Sequence, residues 1–326
     1  MSNPFLPSWE EIETEYLRIG MPGEFVLREA PRATVTVGAD QIAISASYEI
    51  DSPNEPIENP LKGLETQIIT QGGRFYYRLS VTTRQLFRPF FHFAIDLVYS
   101  IKSVNGATVA GSITAALTTW AQLFEQRPTL TAERQLGLYG ELSFLQMLIA
   151  AVGAVAVESW TGPSRASHDF RLATTEFEVK TTYRDRRLHE INGLNQLQAS
   201  RNFSLFLISF RVAIAGSGGE SLVDAVQHVR SELNSQPKAL NEFEVRLALA
   251  GYVEENAALY SNRFKLADEP RIAIVDETFP RLTLDGISQL NSSYEFQRVF
   301  VNSYIIDATG LGQPIGVFNL KKLLVK

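Results

Sequence analysis

The sequence of 326 residues is long enough for about two domains of ordinary size. Hydrophobic residues make up 45% of the chain and charged residues 20%, which is typical of globular proteins and excludes a disordered or fibrous one. The 30 basic and 36 acidic residues give a formal net charge of -6, which argues against a protein that binds nucleic acid through overall charge. The absence of cysteine excludes disulfides, cysteine-ligated zinc, iron–sulfur clusters and a thiolate nucleophile.

Histidine spacing and hydropathy narrow the function classes further. None of the four histidines (His92, His168, His189 and His228) forms the HxH or HExxH spacing of a zinc hydrolase. The N-terminus lacks the basic start and apolar core of a signal peptide. The most apolar stretch, Leu142 to Val157, is shorter than the roughly 20 apolar residues that cross a bilayer. We therefore expect a cytoplasmic protein with no membrane partner.

Residues 1–125 have the pattern of a β-rich region with helices. Alternating apolar and polar residues predict strands, and helical spacing takes over after them. The predicted strands are Ala33–Val37, Gln41–Tyr48 and Arg74–Thr82, and the predicted helices are Thr83–Ile101 and Ile113–Glu125. Three prolines between Asp51 and Lys62 predict a loop. We expect this region to be an accessory or recognition domain.

Residues 126–215 carry helix and strand signals in the order αβββαβ. Thr131 is placed to cap a helix that reaches Ile149, and Gly153 ends it. The predicted strands are Ala154–Trp160, His168–Leu172, Thr175–Thr182 and Phe203–Val212, with a helix at Leu194–Arg201 before the last of them. This order predicts an α/β core of the α+β type, with a mixed sheet flanked by helices.

Residues 216–326 form the third predicted part, a mixed α/β extension. Ser221 and Asp224 make a capping-box pattern for a helix that ends near Leu233. Two further strands are predicted at Arg271–Val275 and Gln297–Ile306. The pattern of this part shows no chemistry of its own.

The strand Thr175–Thr182 carries the first candidate site residues. Because side chains alternate along a strand, Glu176, Glu178 and Lys180 share one face. Charges on a core strand are costly unless they are paired or bind a metal. For an isolated ExK pattern, a solvated Glu–Lys pair is the ordinary interpretation.

Asp169 on the preceding strand changes that interpretation. A tight turn at Ala173–Thr174 would pair the two strands antiparallel and bring Asp169 close to Glu178. Carboxylate oxygens are the ligands that Mg²⁺ prefers in proteins. Asp169 and Glu178 are therefore candidate metal ligands, with Lys180 beside the ion.

Glu141 is a third candidate carboxylate. Leu138 and Leu145 stand three residues before it and four after it, so Glu141 lies along the apolar stripe of its helix. Gly137 and Gly140 weaken that helix, which indicates a close approach of backbone or ligand. The alternative is a buried glutamate that accepts hydrogen bonds from backbone amides.

Together with the element order, Glu141, Asp169 and the triplet Glu178-Val179-Lys180 resemble the PD-(D/E)XK nuclease superfamily. That superfamily includes many restriction endonucleases and RecB-like exonucleases. The resemblance implies that Glu141, Asp169 and Glu178 bind the metal and that Lys180 is catalytic.

Two neighbouring positions complete the comparison with the superfamily. Gln196 stands where many members have a glutamine that supports the catalytic site, and His168 replaces the proline that often precedes the aspartate. Over residues 120–210, the segments GLYGELSFL, WTGPSRASHDF, EFEVKTT and NQL look like bacterial members encoded in restriction-like and phage-defence gene clusters.

The resemblance implies a restriction-endonuclease-like fold and a Mg²⁺-dependent deoxyribonuclease in which Mn²⁺ also works. It further implies an endonuclease subunit of a restriction or phage-defence system, with DNA, partner subunits or a second copy of the chain as partners. Two other interpretations stay open. One is a repair-type exonuclease or nickase, and the other is a non-catalytic DNA-binding or assembly subunit that keeps the fold.

Basic residues around the candidate site offer contacts for a phosphate backbone. Residues 162–201 contain seven basic and five acidic side chains, a local balance of +2 against -6 for the whole chain. Arginines commonly contact phosphates, and the candidates are Arg165, Arg184, Arg186 and Arg187. The alternative is an ordinary solvated loop.

Overall fold

The computed structural model describes residues 6–38, 43–54, 57, 64–101, 109–124, 129–164, 166–216, 218–283, 286–287, 301–317 and 320. The chain divides into two units. The first contains Met1–Pro128 and Asn241–Glu255, and the second contains Thr129–Leu240 and Asn256–Lys326.

The first unit is built on a five-stranded antiparallel sheet with the order β1-β2-β3-β5-β4. The strands are β1 (Gly23–Glu29), β2 (Arg32–Val37), β3 (Ile44–Ile50), β4 (Glu65–Gln71) and β5 (Arg74–Val81). The helices are α1 (Trp9–Glu11), which continues as a π-helix over Ile12–Leu17, then α2 (Phe87–Ser100) and α3 (Val109–Phe124).

Helix α2 packs its apolar residues against this sheet. The Tyr48 hydroxyl on β3 donates to the carbonyl oxygen of Ala94 at 3.0 Å, and Phe90 and Phe93 are fully buried in the same core.

The predicted β-rich character of this region is confirmed. The edge strands β1 and β4 are missing from the prediction because edge strands bury less apolar surface, and almost every residue of β4 is exposed. Residues 41 and 42 and most of the predicted loop lie outside the described residues.

Polar contacts explain why a distant segment belongs to the first unit. Helix α7 (Pro237–Leu249) enters this unit at Asn241. His92 Nδ1 lies 2.8 Å from Asn241 Oδ1, and Arg88 Nη2 donates to Glu244 Oε1 at 2.9 Å. A pattern of apolar periodicity cannot reveal such a pairing between residues about 150 positions apart.

The second unit is built on a mixed sheet. Its helices are α4 (Ala132–Val152), α5 (Ala156–Ser159) and α6 (Leu222–Leu233). Its strands are β6 (Phe170–Leu172), β7 (Thr175–Thr182), β8 (Leu188–Asn192), β9 (Ser204–Ala215), β10 (Glu220–Ser221), β11 (Arg263–Leu266), β12 (Arg271–Ile274), β13 (Ser303–Asp307) and β14 (Gln313–Pro314).

Strand β9 is the centre of this sheet. It pairs with β7 in parallel and with β11 and β12 antiparallel, while β6 pairs antiparallel with β7. The strands β8 and β13 form a separate two-stranded ribbon. Helices on a mixed sheet confirm the predicted α+β class.

Three details of the predicted organisation are wrong. The first predicted strand, Ala154–Trp160, is mostly the helix α5, and only Trp160 bridges to Phe170. The predicted helix Leu194–Arg201 is a run of turns, preceded by the unpredicted strand β8. The predicted boundary at residue 215 does not separate two sheets, because β11 and β12 pair with β9.

Helix α4 has the ends that the sequence predicts. Thr131 Oγ1 accepts a hydrogen bond from Arg134 N at 3.3 Å, and Gly153 has a φ of 79° at the C-terminal end. Of the described helices, α4 alone has the length and composition to cross a membrane. Its packing against β7 and α6 accounts for that apolar character, as does the contact of Phe144 with the Phe177 ring at 5.1 Å between centroids.

One of the two helix glycines marks a close approach between α4 and β7. A Cβ on Gly140 would lie 1.8 Å from Thr181 Oγ1 and 3.1 Å from Thr181 Cβ. A Cβ on Gly137 would meet no atom within 4 Å. A close approach is therefore found at Gly140 alone, and the group that approaches is the Thr181 side chain rather than the backbone or ligand that the glycines predicted.

We expect Gly140→Ala to destabilise the fold by about 1–3 kcal/mol, because the added methyl group overlaps Thr181. The matched control, Gly137→Ala, should stabilise it by about 0.5–1 kcal/mol through helix propensity alone. Chemical denaturation of both variants measures the difference. Equal stability of the two variants would contradict the close approach, whereas partial recovery in Gly140→Ala with Thr181→Ala would support it.

Candidate functional site

Strand β7 divides its side chains between a packed face and a polar face. Phe177 and Thr181 point to α4, as the contacts with Phe144 and Gly140 show. Glu176, Glu178 and Lys180 occupy the alternate positions. The strand has β9 on one edge and β6 on the other, so polar groups on it are removed from solvent.

Asp169 lies next to β7 because it directly precedes β6, a strand of three residues that pairs antiparallel with β7. The antiparallel register pairs Phe170 with Phe177, and Asp169 stands just before the paired stretch. Its carboxylate Oδ2 accepts a hydrogen bond from the backbone N–H of Val179 at 2.8 Å. The tight β6–β7 connection therefore brings Asp169 to the backbone between Glu178 and Lys180, as predicted.

Glu141 reaches the same place from α4. Its Oε2 accepts a hydrogen bond from the indole Nε1 of Trp160 at 2.7 Å. A Cβ on Gly162 would lie 3.0 Å from Asp169 Oδ1 and 3.4 Å from Glu141 Oε2, so both carboxylates border the small space beside Gly162. The donor to Glu141 that the structure shows is an indole rather than the backbone amide of the alternative interpretation.

Glu178 and Lys180 are joined to Gln196. Lys180 Nζ lies 3.0 Å from Glu178 Oε1 and donates to Gln196 Oε1, also at 3.0 Å. The same amide oxygen accepts from the backbone N–H of Asn192 at 2.7 Å. Gln196 thus takes its predicted position beside the site, although it lies in a turn and not on a helix.

The second oxygen of Glu178 is unusual. The residue is 1% exposed, and its Oε2 is buried without a hydrogen-bond partner among the described residues. Leaving a buried polar atom unpaired is costly, and the cost is greater for a charged group. This oxygen is therefore poised to accept a ligand.

The electrostatics of the three carboxyl groups favour an added cation. Burial raises the pKa of Glu141 to about 8, with a further contribution from the charge of Asp169. Burial also raises the pKa of Asp169, against the Val179 hydrogen bond. The pKa of Glu178 is raised well above its usual range by burial and then by Asp169. Lys180 lowers all three pKa values but is the single ammonium among them.

Glu176 provides the contrast on the same strand. Its Oε1 accepts from Arg171 Nε at 3.0 Å and from Ser200 Oγ at 2.7 Å, and its Oε2 accepts from Ser200 N at 2.8 Å. Burial acts to raise the pKa of Glu176, but the hydrogen bonds from Ser200 and Arg171 outweigh burial and hold it below the usual value. His168 Nδ1 stands 3.2 Å from Glu176 Oε2. Glu176 is therefore a satisfied structural group.

The donor set fits a hard divalent cation such as Mg²⁺. Glu141, Asp169 and Glu178 supply only carboxylate oxygens, and Glu178 Oε2 has no other partner among the described residues. Within the described part of the chain, no three histidine, aspartate or glutamate side chains are preassembled at metal-binding spacing. The residues that would hold the cation are thus neighbours whose oxygens do not stand at metal-ligand spacing in this structure.

The four arginines predicted to contact nucleic acid have different environments. Arg184 and Arg186 are exposed, and Arg186 pairs with Asp307. Arg165 lies outside the described residues. The prediction for Arg187 is wrong, because this side chain is buried and bound to protein groups.

The partners of Arg187 explain its burial. Its Nη1 donates to the Ser209 carbonyl oxygen at 2.6 Å, and its Nη2 donates to the Glu269 carbonyl oxygen at 2.9 Å and pairs with Asp268. Through these hydrogen bonds Arg187 holds the segment before β12 against β9. The sequence shows only three nearby arginines and cannot distinguish which of them has buried partners.

Trp160 and Gly162 are functional candidates that sequence reasoning missed. The indole of Trp160 is fully buried, 19 residues after the glutamate that it contacts. No helical or strand period connects positions so far apart. The one signal that could have found them is the WTG triplet, whose glycine is the first residue of the glycine–proline turn Gly162–Pro163.

The metal-free protein should lose stability as the pH rises from about 4.5 to about 8. A carboxyl group with a higher pKa in the folded chain stabilises the fold at low pH, and that contribution disappears across this window. Glu141→Gln keeps an acceptor for Trp160 and removes the charge, so it should raise stability at pH 8 by about 1–2 kcal/mol and flatten the pH dependence. Thermal unfolding in a chelator at pH 5.5 and pH 8 measures both effects. Destabilisation of the variant at pH 8 would instead assign Glu141 a structural role.

Comparison with known proteins supplies the family. Residues 33–296 match the family model described as "Putative PD-(D/E)XK family member, (DUF4420)". A search of curated proteins found no match, and a search of solved structures found none either. Because the family model covers well over half of the sequence, the chain belongs to this PD-(D/E)XK family, and its fold is nuclease-like.

Proposed function

We propose that the protein is a Mg²⁺-dependent nuclease that hydrolyses phosphodiester bonds in DNA. The observation that carries the proposal is the buried oxygen of Glu178, which has no partner among the described residues. It lies beside two further carboxylates and the ammonium group of Lys180, and membership of a PD-(D/E)XK family supports reading this cluster as a nuclease site. A structural cluster would satisfy that oxygen, as the neighbouring Glu176 cluster does.

Glu141, Asp169 and Glu178 would hold the metal. A bound Mg²⁺ neutralises phosphate charge and lowers the pKa of a bound water. The protein contributes by fixing the carboxylates. Val179 N holds one oxygen of Asp169, Trp160 holds one oxygen of Glu141, and Lys180 holds one oxygen of Glu178.

Lys180 is the residue that acts on the substrate in this proposal. An ammonium group has three donors, and its contacts with Glu178 and Gln196 engage two of them. The third can donate to a phosphate oxygen or to the attacking water and stabilise the negative charge that develops there. Gln196 is a positioning residue, because it acts through Lys180.

DNA is proposed as the substrate from family membership and from two exposed arginines. Arg184 and Arg186 follow β7 directly, where side chains can reach a phosphate backbone. The chain charge of -6 supports only weak binding to DNA in general. We therefore expect cleavage to depend on a partner subunit, as in a restriction or phage-defence system, or on a second copy of the chain.

Two other functions remain as outcomes of the same assays. Cleavage of linear DNA with intact supercoiled plasmid would indicate an exonuclease. Binding of DNA without any Mg²⁺- or Mn²⁺-dependent cleavage would indicate a non-catalytic subunit. An internal cut in circular DNA would support the endonuclease that we propose.

We expect Mg²⁺ or Mn²⁺ to raise the unfolding temperature of the protein, because metal binds only the folded site. Asp169→Asn keeps an oxygen acceptor for Val179 N but removes the charge, so it should abolish most of this shift. The control is Asp185→Asn, which changes an exposed carboxylate outside the cluster. Thermal unfolding with and without metal measures the shift, and an unchanged shift in Asp169→Asn would rule out the proposed ligand.

Lys180→Ala should reduce the rate of metal-dependent cleavage by about 10²–10³-fold, because it removes a donor to the developing charge. The metal-induced rise in unfolding temperature should persist, since the three carboxylates remain. Lys265→Ala, at an exposed position on β11, is the control and should cleave at the normal rate. Supercoiled plasmid and linear DNA are the substrates. Full activity of Lys180→Ala would refute the catalytic assignment.

A further inference from the structure

The segment Trp160–Gly162, which we name the WTG segment, contacts two of the three proposed metal ligands. It connects α5 to the turn before β6. Trp160 is fully buried, and its only N–H donor outside the backbone, Nε1, lies 2.7 Å from Glu141 Oε2. The hydrogen bond runs from one rigid ring to one carboxylate oxygen, so it restricts how the Glu141 carboxylate can rotate.

The backbone of the same segment holds Asp169. The N–H groups of Thr161 and Gly162 both donate to the Asp169 carbonyl oxygen, at 2.8 and 2.9 Å. The Thr161 hydroxyl donates to the carbonyl oxygen of His168 at 2.9 Å. Trp160 also bridges to Phe170 as an isolated antiparallel pair. The WTG segment therefore lies alongside the chain that carries Asp169 and fixes its backbone on both sides.

Gly162 keeps the space between the two carboxylates open. A Cβ at this position would lie 3.0 Å from Asp169 Oδ1, 3.2 Å from Asp169 Cα and 3.4 Å from Glu141 Oε2. These contacts are tighter than most real Cβ contacts, so a side chain here would make the Asp169 carboxylate shift by a few tenths of an ångström and would crowd the oxygen of Glu141. The glycine therefore leaves both carboxylates in their present positions.

We infer that the WTG segment positions Glu141 and Asp169 for the cation. In this inference Trp160 is a positioning residue that orients the Glu141 carboxylate, and Gly162 leaves room for the cation. This inference rests on the proposed function. Groups that orient metal ligands from outside the coordination sphere typically change metal affinity by about 10–100-fold when they are removed. Trp160 acts through Glu141, so its loss should weaken metal binding more than it slows catalysis at saturating metal.

Trp160→Phe is the first test, because it keeps a buried aromatic ring and removes the indole N–H. Titration of the full-length protein with Mn²⁺, followed by calorimetry, should show an affinity about 10–100-fold weaker than that of the unmodified chain. The control is Trp9→Phe, which also removes an indole donor to a glutamate, since Trp9 Nε1 donates to Glu13 Oε2 at 3.1 Å in the first unit. Its Mn²⁺ affinity should be unchanged. Equal Mn²⁺ affinity of Trp160→Phe and the unmodified chain would overturn the role of Trp160.

Gly162→Ala is the second test and decides the matter if Trp160→Phe does not fold. The added methyl group should weaken Mn²⁺ binding at least about tenfold, while Gly216→Ala, where a Cβ meets no atom within 4 Å, should leave it unchanged. For both site variants, the Mn²⁺ concentration that gives half-maximal cleavage should rise more than the maximal rate falls. Unchanged Mn²⁺ affinity in Gly162→Ala would overturn the role of Gly162.

Mn²⁺ binding by the unmodified protein and by the two variants distinguishes a failure of the proposed function from a failure of the positioning role. If the unmodified protein does not bind Mn²⁺, then the proposed function fails and the positioning role fails with it. If the unmodified protein binds Mn²⁺ and both variants bind it equally well, then only the role of the WTG segment is refuted.

Discussion

The second unit is organised around three neighbouring carboxyl groups, those of Glu178 on β7, Asp169 just before β6 and Glu141 on α4, whose pKa values are raised by burial. Glu178 keeps an oxygen without a partner among the described residues, and its charge repels those of Asp169 and Glu141. One ammonium, that of Lys180, cannot balance three carboxylates. Such an arrangement persists only when the surrounding structure holds the groups in place. The neighbouring strands, the close approach of α4 and the WTG segment all serve to hold them there.

The same strand carries a buried carboxylate, that of Glu176, whose oxygens are satisfied by protein groups. Glu176 accepts hydrogen bonds from Ser200 and Arg171 and lies close to His168, two residues before Glu178. His168, directly before Asp169, has its Nδ1 3.2 Å from Glu176 Oε2, and this contact helps to order the chain before Asp169. Arg187 holds the segment before β12 against β9 through the Ser209 and Glu269 carbonyl oxygens. These contacts hold the chain around the candidate site in place.

Local patterns predicted the elements whose signals are themselves local. The Thr131 cap, the Gly153 end of α4, the Ser221 capping box and the whole of β7 appear as expected. Prediction failed where tertiary contacts override a short pattern. Residues 154–160 were predicted as a strand but mostly form a helix. The segment around Gln196 was predicted as a helix but is a turn, in which Gln196 accepts hydrogen bonds from Lys180 and Asn192. Strand β8 was missed because its partner β13 lies more than a hundred residues away.

The sequence by itself determined which residue types could make a metal site and which face of β7 presents them, because strand alternation and carboxylate chemistry are local properties. It could also tell that α4 carries a carboxylate on its apolar side. Only the tertiary structure decided which charges are left without partners. Glu176 and Glu178 are chemically alike and two residues apart, and Arg186 and Arg187 are adjacent, yet their contacts differ completely. Those contacts come from Ser200, Ser209 and Asp307, more than twenty residues away in the sequence and brought close only when the strands pair, so no local pattern encodes them.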